Sequence, residues 1–265
     1  MRALALFFLA VSVAVMPARA QESFPGSAAL DAQMQQAVRD GLIPGGVLLV
    51  GHDGKIIHRR AYGNRALVPA REAITVDTIF DLASLTKVVA TTPAIMKLVE
   101  QGKLSIIDPV TKYLPEFQNG KSDITIRDLM THFSGLPPDV PLTPPWSGYE
   151  TGIRKALTAK PTYPPGERFV YSDINFELLG EIVRRLSGET LDRFAREQIY
   201  QPLGMRDTGY LPAASLIPRI APTEVDQATG KPWRGVVHDP TARYMGGVAG
   251  HAGVFSTASD LALYC

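Results

Sequence analysis

The chain has 265 residues, of which 45% are hydrophobic and 20% are charged, and its formal net charge is +1. This composition is typical of a globular protein with one large domain or two smaller ones. Because the net charge is close to zero and no basic tract occurs, nucleic acid and anionic membrane surfaces are not indicated as partners.

The first twenty residues have the pattern of a secretory signal peptide. Arg2 is followed by an apolar run that ends at Met16, and Ala18-Arg19-Ala20 forms a small-residue cleavage site. A membrane anchor is the alternative interpretation, but the apolar run is short for a bilayer span. We therefore expect cleavage after Ala20 and a secreted or periplasmic protein. The single cysteine, Cys265, rules out an intramolecular disulfide.

A helix and a β-hairpin are predicted next. Apolar residues recur at helical spacing over residues 27–41, and a glycine closes this segment. The apolar run 47–50 and the segment 56–62 flank a turn, which predicts two antiparallel strands. His52 and His58 flank the hairpin, but no third ligand candidate lies nearby. They are therefore predicted to be ordinary strand-end residues rather than a metal site.

A long apolar-periodic segment from Ser84 to Gln101 is predicted to form one helix. Ser84 and Lys87 then lie on the same face, one turn apart. A serine hydroxyl needs a base beside it, and a lysine can be that base where burial and positive neighbours lower its pKa. A chain of this length contains about one Ser-x-x-Lys by chance. A helix-capping Ser84 and a solvated Lys87 are the alternative.

Shorter helices are predicted in the rest of the chain, most of them next to a capping or terminating residue: 126–132 after Thr125, 153–160, 176–186 before Gly188, 191–200 after Thr190, and one that begins at Thr257. The segments 69–77 and 211–237 are predicted to be loops. The proline-rich loop 137–145 is too long for a plain connection, so it is a candidate wall of a binding cleft.

No strand beyond the hairpin is obvious, although a lone two-stranded hairpin is only marginally stable in water. The chain also stops within the first turns of the helix predicted after Thr257. Both observations predict that the sequence is truncated.

A Ser-Lys mechanism usually requires a third group that passes a proton to the leaving group, and a tyrosine can do this. Two candidates occur: Tyr62-Gly63-Asn64 at the end of the second strand, and Tyr171-Ser172-Asp173 in a loop just before a helix. The second position is where functional side chains are commonly presented. The alternatives are a buried, hydrogen-bonded Tyr171 and an N-capping Asp173.

Other chemistries have weaker support. The sequence contains no G-x-S-x-G elbow, H-E-x-x-H, Walker loop or Rossmann fingerprint. His132, His238 and His251 are scattered, and each is predicted to be structural rather than the base of a triad. The glycine-rich segment 246–253 follows no predicted strand and lacks a lysine, so phosphate binding is not predicted.

Four segments carry a family resemblance. Residues 80–87 read FDLASLTK, residues 129–137 read LMTHFSGLP, residues 163–173 end in FVYSD after a Pro-Gly turn, and residues 202–205 read PLGM. Together they resemble the penicillin-binding-protein and class C β-lactamase superfamily of serine hydrolases, with Phe133 in place of a usual threonine. The resemblance runs from about Leu42 to Cys265, with the motifs in the family's order.

By resemblance, Ser84 is the acylated nucleophile, Lys87 its base partner and Tyr171 the proton shuttle. Asp173 stands where the family has asparagine or aspartate and is a candidate substrate-binding residue. The backbone N–H of Ser84 is expected to supply half of an oxyanion hole. No metal or cofactor is implied.

His251-Ala252-Gly253 literally matches the family's third motif, Lys/His-x-Gly. However, the segment 250–261 looks more like the G-G-L-x-S-T-x-x-D-L segment that precedes the third motif. We therefore assign His251 to that earlier segment, as a candidate substrate-binding residue, and expect the third motif to lie beyond Cys265.

The resemblance implies an α+β fold, in which an α/β sandwich with an antiparallel sheet carries an inserted, mainly helical domain and lacks its C-terminal strands. Residues 21–265 are expected to form one incomplete domain: 21–80 and 246–265 in the α/β part, and 81–245 in the helical part. The implied function is an exported serine hydrolase acting through an acyl-enzyme on a β-lactam, a D-Ala-type peptide or an ester. Its expected partner is a small-molecule or peptidoglycan-type substrate. The alternatives are a non-catalytic peptidoglycan- or β-lactam-binding module and an inactive fragment of the same fold.

Overall fold

The computed structural model describes residues 24–118 and 123–265 of the chain. The predicted signal peptide, residues 1–20, lies outside the described residues. Within the described ranges, no helix is long and apolar enough to cross a membrane. The chain folds into a mixed α+β structure with two small antiparallel sheets, which confirms the predicted fold class.

The α-helices in chain order are α1 (Ser27–Arg39), α2 (Thr92–Glu100), α3 (Ile126–Met130), α4 (Tyr149–Thr158), α5 (Asp173–Ser187), α6 (Leu191–Ala195), α7 (Gln201–Leu203), α8 (Pro240–Tyr244) and α9 (Ala258–Tyr264). The strands are β1 (Gly45–His52), β2 (Lys55–Ala66), β3 (Glu72–Ala73), β4 (Phe80–Asp81), β5 (Gly209–Tyr210) and β6 (Val254–Ser256). Shorter turns are of the 3₁₀ type at Ala83–Leu85, Val110–Lys112 and Ala214–Arg219, and of the π type at Lys87–Thr91 and Arg196–Tyr200.

The predicted hairpin is confirmed, because β1 and β2 pair antiparallel. Its turn residues Asp53 and Gly54 both have a left-handed backbone, with φ of 49° and 69°, which suits the twist of a tight hairpin. β3 extends this sheet, although the sequence predicted only loop there, because a two-residue strand carries no alternating pattern. The prediction for His58 was wrong. It lies buried inside β2, with Nε2 2.9 Å from Asp31 of α1.

A second sheet has the order β4-β6-β5, with the buried β6 in the middle. Phe80 of β4 pairs with Ser256, and Gly209 of β5 pairs with Phe255. These strands have only two or three residues, so their sequences gave no strand signal. The pairing places the start of the Ser84 segment directly beside the strand that follows His251.

The Ser84 segment is not the single regular helix that the sequence predicted. A 3₁₀ turn holds Ser84, a π turn begins at Lys87, and α2 begins only at Thr92. The second residue of α2 is Pro93, whose nitrogen cannot donate a hydrogen bond, so a continuous α-helical ladder is interrupted there. Ser84 and Lys87 nevertheless remain one turn apart.

Several helix boundaries follow the predicted capping residues. Thr125 caps α3 in a reciprocal box with Asp128, Thr257 caps α9, and Gly188 ends α5 in the left-handed region. Thr190 occupies the predicted N-cap position of α6, although its side chain makes no capping hydrogen bond. The N-cap residue of α5 is Ser172, so the alternative of an N-capping Asp173 was wrong. Asp173 is therefore the first residue of α5, where its charge suits the helix dipole.

Helix α5 lies at the centre of the main apolar core and contacts α2, α3, α4 and α6. Its residues Ile174, Leu178, Leu179 and Ile182 have no exposed surface. The helix also buries three polar residues, Asn175, Glu177 and Glu181. Buried polar groups need partners. Glu181 receives hydrogen bonds from two arginines and a tyrosine, whereas Asn175 and Glu177 face the candidate site.

Candidate active site

Ser84 is presented to solvent at the end of β4. The backbone N–H of Leu82 donates to the carbonyl of Val254, and Ala83 has a φ of 45°, a left-handed conformation that is strained for alanine. This sharp bend exposes Ser84 while Lys87 stays buried, at 3% exposure. The Lys87 Nζ donates to Ser84 Oγ across 3.0 Å. An accessible hydroxyl with a buried amine behind it is the geometry of an activated nucleophile.

Lys87 has three oxygen atoms around its amine. Besides Ser84 Oγ, Nζ lies 3.2 Å from the carbonyl oxygen of His251 and 2.6 Å from Oδ1 of Asp173. It also lies over the ring of Tyr171, 4.8 Å from the centroid. The structure thus brings together Ser84, Lys87, Asp173, Tyr171 and the backbone of His251, which come from three separate segments of the chain.

Tyr171 precedes α5 and is 43% exposed. Its ring stacks on His132 with the centroids 4.5 Å apart. His132 Nδ1 accepts hydrogen bonds from the backbone N–H of Ser172 and from the side-chain amide of Asn175. Burial, and then the positive charge of Lys87, lower the pKa of His132, so a neutral ring supports Tyr171 from behind.

The loop that follows α3 is tied to the start of α5. Ser134 Oγ donates to Asn175 across 2.6 Å, Ser172 Oγ donates to the carbonyl of Pro137, and the N–H of Asp173 donates to the carbonyl of Pro138. These buried hydrogen bonds fix the residues on either side of Tyr171. The first part of the proline-rich loop therefore has a positioning role that its sequence did not show.

A second buried group lies behind Lys87, which we name the Glu177–His251–Asp239 network. The ring of His251 is 1% exposed; its Nε2 lies 2.8 Å from Asp239 Oδ1, and its Nδ1 lies 3.7 Å from Glu177 Oε1. Neither oxygen of Glu177 has a hydrogen-bond partner among the described residues. Burial raises the pKa of Glu177 to about 8.

The charges of this network are coupled. Burial opposes the charged form of His251, but the hydrogen bond to Asp239 and the neighbouring acids outweigh burial, so the pKa of His251 is raised. Burial likewise opposes a charged Asp239, yet the hydrogen bond to His251 leaves the pKa of that carboxyl lowered. The hydrogen bond between the two side chains therefore favours the charged form of each. Burial also raises the pKa of Asp139, which lies nearby.

Among the described residues, one group has the spacing of a metal site. Asp173, Asp239 and His251 each offer a ligand atom, and these atoms lie within 4.8 Å of one another. In this group, however, the Lys87 amine lies 2.6 Å from Asp173 and the imidazole of His251 lies 2.8 Å from Asp239, so each carboxylate already has a nitrogen partner.

Tyr62 and His251, two candidate residues from the sequence, have different places in the structure. Tyr62, the rival tyrosine, contacts Asp31 and His58 and belongs to the packing of α1 on the first sheet. The ring of His251 is buried and only its carbonyl group reaches Lys87, so a substrate-binding role for His251 stays a prediction. Sequence reasoning missed Asp239 and Glu177. Glu177 could have been found, because it follows Asp173 at the i+4 position of the same helix.

The chain is similar in sequence to a known protein family. The family profile described as Beta-lactamase matches residues 30–265. The chain is 36% identical to the N-acetylmuramyl-L-alanine amidase of Bacillus subtilis (strain 168), over 88% of this chain and 60% of that protein. The chain thus spans about three fifths of this curated relative.

Solved structures show the same similarity. The octameric penicillin-binding protein homologue from Pyrococcus abyssi superposes with a TM-score of 0.74 at 29% identity, covering 90% of this chain and 55% of that one. A class C β-lactamase from Rhodobacter sphaeroides superposes with a TM-score of 0.72 at 27% identity, covering 90% of this chain and 64% of that one. The fold that the sequence resemblance implied is therefore confirmed.

Proposed function

Because the chain belongs to the β-lactamase family of serine hydrolases, we propose that it is an exported hydrolase that works through an acyl-enzyme on Ser84. The observation that carries this proposal is the pair formed by the exposed Ser84 hydroxyl and the buried Lys87 amine, 3.0 Å apart. A nucleophile and a base within hydrogen-bond reach are the minimum requirement for acyl transfer.

The proposed acylation has two proton transfers. Unprotonated Lys87 accepts the proton of Ser84 as Oγ attacks the carbonyl carbon of the substrate, and the backbone N–H of Ser84 stabilises the oxyanion that develops. The hydroxyl of Tyr171 then protonates the leaving group as the bond to the carbonyl carbon breaks, and the Tyr171 phenolate takes back a proton from protonated Lys87. Water next attacks the ester on Ser84 and gives a proton to Lys87. Lys87 passes this proton to Ser84 Oγ as the ester bond breaks, which releases the acid and restores the free enzyme.

The proposed substrate is a β-lactam, a D-Ala-type peptide or a simple ester. The relatives support this breadth, because one is named an amidase, one a penicillin-binding protein homologue and one a class C β-lactamase. One constellation can serve several acyl substrates on the same fold. Export is proposed from the signal-like residues 1–20.

Intact mass spectrometry of the exported protein tests this proposal. We expect incubation with benzylpenicillin or p-nitrophenyl acetate to add one acyl group per chain in the wild type. Ser84→Ala should abolish the adduct while leaving the fold intact, whereas Ser147→Ala, which removes an exposed serine elsewhere, should keep it. The same spectrum should show a chain that begins after Ala20.

The outcomes separate the candidate functions. An adduct that survives Ser84→Ala refutes Ser84 as the nucleophile. Reversible retention of penicillin without any covalent adduct indicates a binding module, and no interaction with either probe indicates an inactive scaffold. A retained N-terminus in the exported protein contradicts the signal peptide.

A further inference from the structure

The three oxygen atoms around Lys87 define the direction of its lone pair. Lys87 Nζ donates to Ser84 Oγ and to the His251 carbonyl, and it lies 2.6 Å from Asp173 Oδ1 as an ion pair without hydrogen-bond geometry. A neutral amine has only two N–H groups and one lone pair. If one N–H group stays on the His251 carbonyl and the second turns toward the nearby Asp173, the lone pair faces Ser84 Oγ, as a base requires. The His251 carbonyl is thus an orienting acceptor.

The position of that carbonyl depends on how residue 251 is held. On one side, Gly250 packs so tightly on α5 that an added Cβ would lie 1.8 Å from the carbonyl oxygen of Phe176. Its own carbonyl accepts a 2.6 Å hydrogen bond from Thr91 Oγ1. On the other side, the imidazole of His251 is anchored at Nε2 by Asp239. The backbone is therefore fixed by packing before residue 251 and by the ring of His251 itself.

We propose that Asp239 is a positioning residue of acylation, which anchors the ring of His251 so that the carbonyl group of the same residue directs the Lys87 lone pair at Ser84. This inference rests on the proposed function of Ser84 and Lys87. Asp239 does not touch the reacting atoms. It acts through His251, and its negative charge also favours the protonated form of this buried ring.

The charge of His251 depends on every group that faces it. Helix α5 contributes Asp173 and Glu177, and the residue before α8 is Asp239. The π turn contributes Lys87, and the loop after α3 contributes Asp139. Among them, Asp239 has the direct hydrogen bond to the ring at 2.8 Å. Replacing it with a neutral group should therefore lower the pKa of His251.

Asp239→Asn tests the proposal with little change in shape. The side-chain oxygen that accepts the N–H of Ala242 and caps α8 is kept, and the negative charge is lost. We measure single-turnover acylation by p-nitrophenyl acetate across the pH range. We expect the acylation rate to fall by roughly 10–100-fold, with little change in the ester concentration at half-saturation. We also expect the alkaline limb of the pH profile to move to lower pH.

Two further variants complete the comparison. Asp239→Glu restores the carboxylate and should recover much of the rate and the original position of the alkaline limb. Asp226→Asn removes another aspartate that accepts a backbone N–H, in an exposed turn, and should leave rate and profile unchanged. If the acylation rate of Asp239→Asn is lower than that of the wild type by the same factor at every pH, the role of Asp239 is merely structural and the proposal is overturned.

A measurement without substrate separates this inference from the proposed function. An NMR titration follows the His251 ring, whose signals are assigned with His251→Gln. We expect the wild-type ring to lose its proton at a higher pH than an ordinary histidine, and the ring in Asp239→Asn to lose it at a lower pH than in the wild type. Equal titration in the two proteins refutes the role of Asp239. Failure of wild-type Ser84 to acylate, with the NMR shift present, refutes the proposed function and with it a role of Asp239 in acylation.

Discussion

Tyr171 offers the site two separable groups, an aromatic ring and a hydroxyl. The ring lies 4.8 Å from Lys87 Nζ and stacks on His132, so it contributes a cation–π contact and packing. The hydroxyl is needed only if Tyr171 transfers a proton. Removing the hydroxyl oxygen alone therefore distinguishes the packing role of the Tyr171 ring from a role of its hydroxyl in proton transfer.

Tyr171→Phe keeps the ring and should slow acylation of Ser84 sharply, by about 10²–10⁴-fold, because a positioned general acid contributes a factor of this size. The measurement is the rate constant for adduct formation with benzylpenicillin, followed by rapid quenching and mass spectrometry. We expect the thermal stability to change little, because the stacking on His132 remains.

Tyr163→Phe is the matched control, because Tyr163 lies nearby in sequence and stacks on the guanidinium of Arg168. Its acylation rate should equal that of the wild type. Unchanged kinetics in Tyr171→Phe would remove the Tyr171 hydroxyl from the mechanism.

At the level of single residues, the sequence predicted those that belong to short motifs. Ser84, Lys87, Tyr171 and Asp173 were selected from local spacing and family resemblance, and the structure brings them together. Asp239 was not predicted, because its partner His251 is twelve residues away and only the tertiary fold brings the two side chains together. Lone acids in loops carry no local signal for such a pair.

The elements with clear periodicity were predicted, and those fixed by tertiary contacts were not. β1, β2 and α5 are long enough for their apolar patterns to show. The second sheet was missed because β4 and β5 have two residues each, and only pairing with β6 makes them strands. These short strands set the position of Ser84, so the residues of the site could be predicted from the sequence but their arrangement in space could not.

Helix α5 and the glycine segment before β6 approach each other so closely that Gly250 has no room for a side chain. Gly250→Ala should destabilise the protein by about 1–3 kcal/mol or more, because its Cβ would collide with the carbonyl oxygen of Phe176. We also expect slower acylation, since the neighbouring His251 carbonyl has to shift away from Lys87. Urea unfolding and single-turnover kinetics measure the two effects.

Gly209→Ala is the control at the element scale. An added Cβ there meets no atom within 4 Å, and the residue lies in the short strand β5. Its unfolding midpoint should stay close to that of the wild type. Equal stability of Gly250→Ala and Gly209→Ala would show that the segment 246–253 relaxes freely and that its close packing does not position His251.

For the whole molecule, Glu177 links stability to pH. Its pKa of about 8, against an ordinary value of 4.5, means that the folded protein keeps a proton that the unfolded chain releases. Below about pH 4.5 both states are protonated, and above about pH 8 neither is. Between these limits, the free energy of unfolding falls as the pH rises, because the unfolded chain has lost the Glu177 proton and folding must take one up again from the solvent.

Glu177→Gln removes this titration while keeping the shape of the side chain. Relative to the wild type, the variant should gain stability steadily as the pH is raised from 5 to 8, by up to a few kcal/mol at about 1.4 kcal/mol per pKa unit. The measurement is the free energy of unfolding in urea for both proteins at several pH values. Glu100→Gln, which changes an exposed glutamate of α2, should show a constant difference from the wild type. A difference between Glu177→Gln and the wild type that does not change with pH would mean that Glu177 is ionised in the folded protein, and that a cation or water balances its charge beside His251.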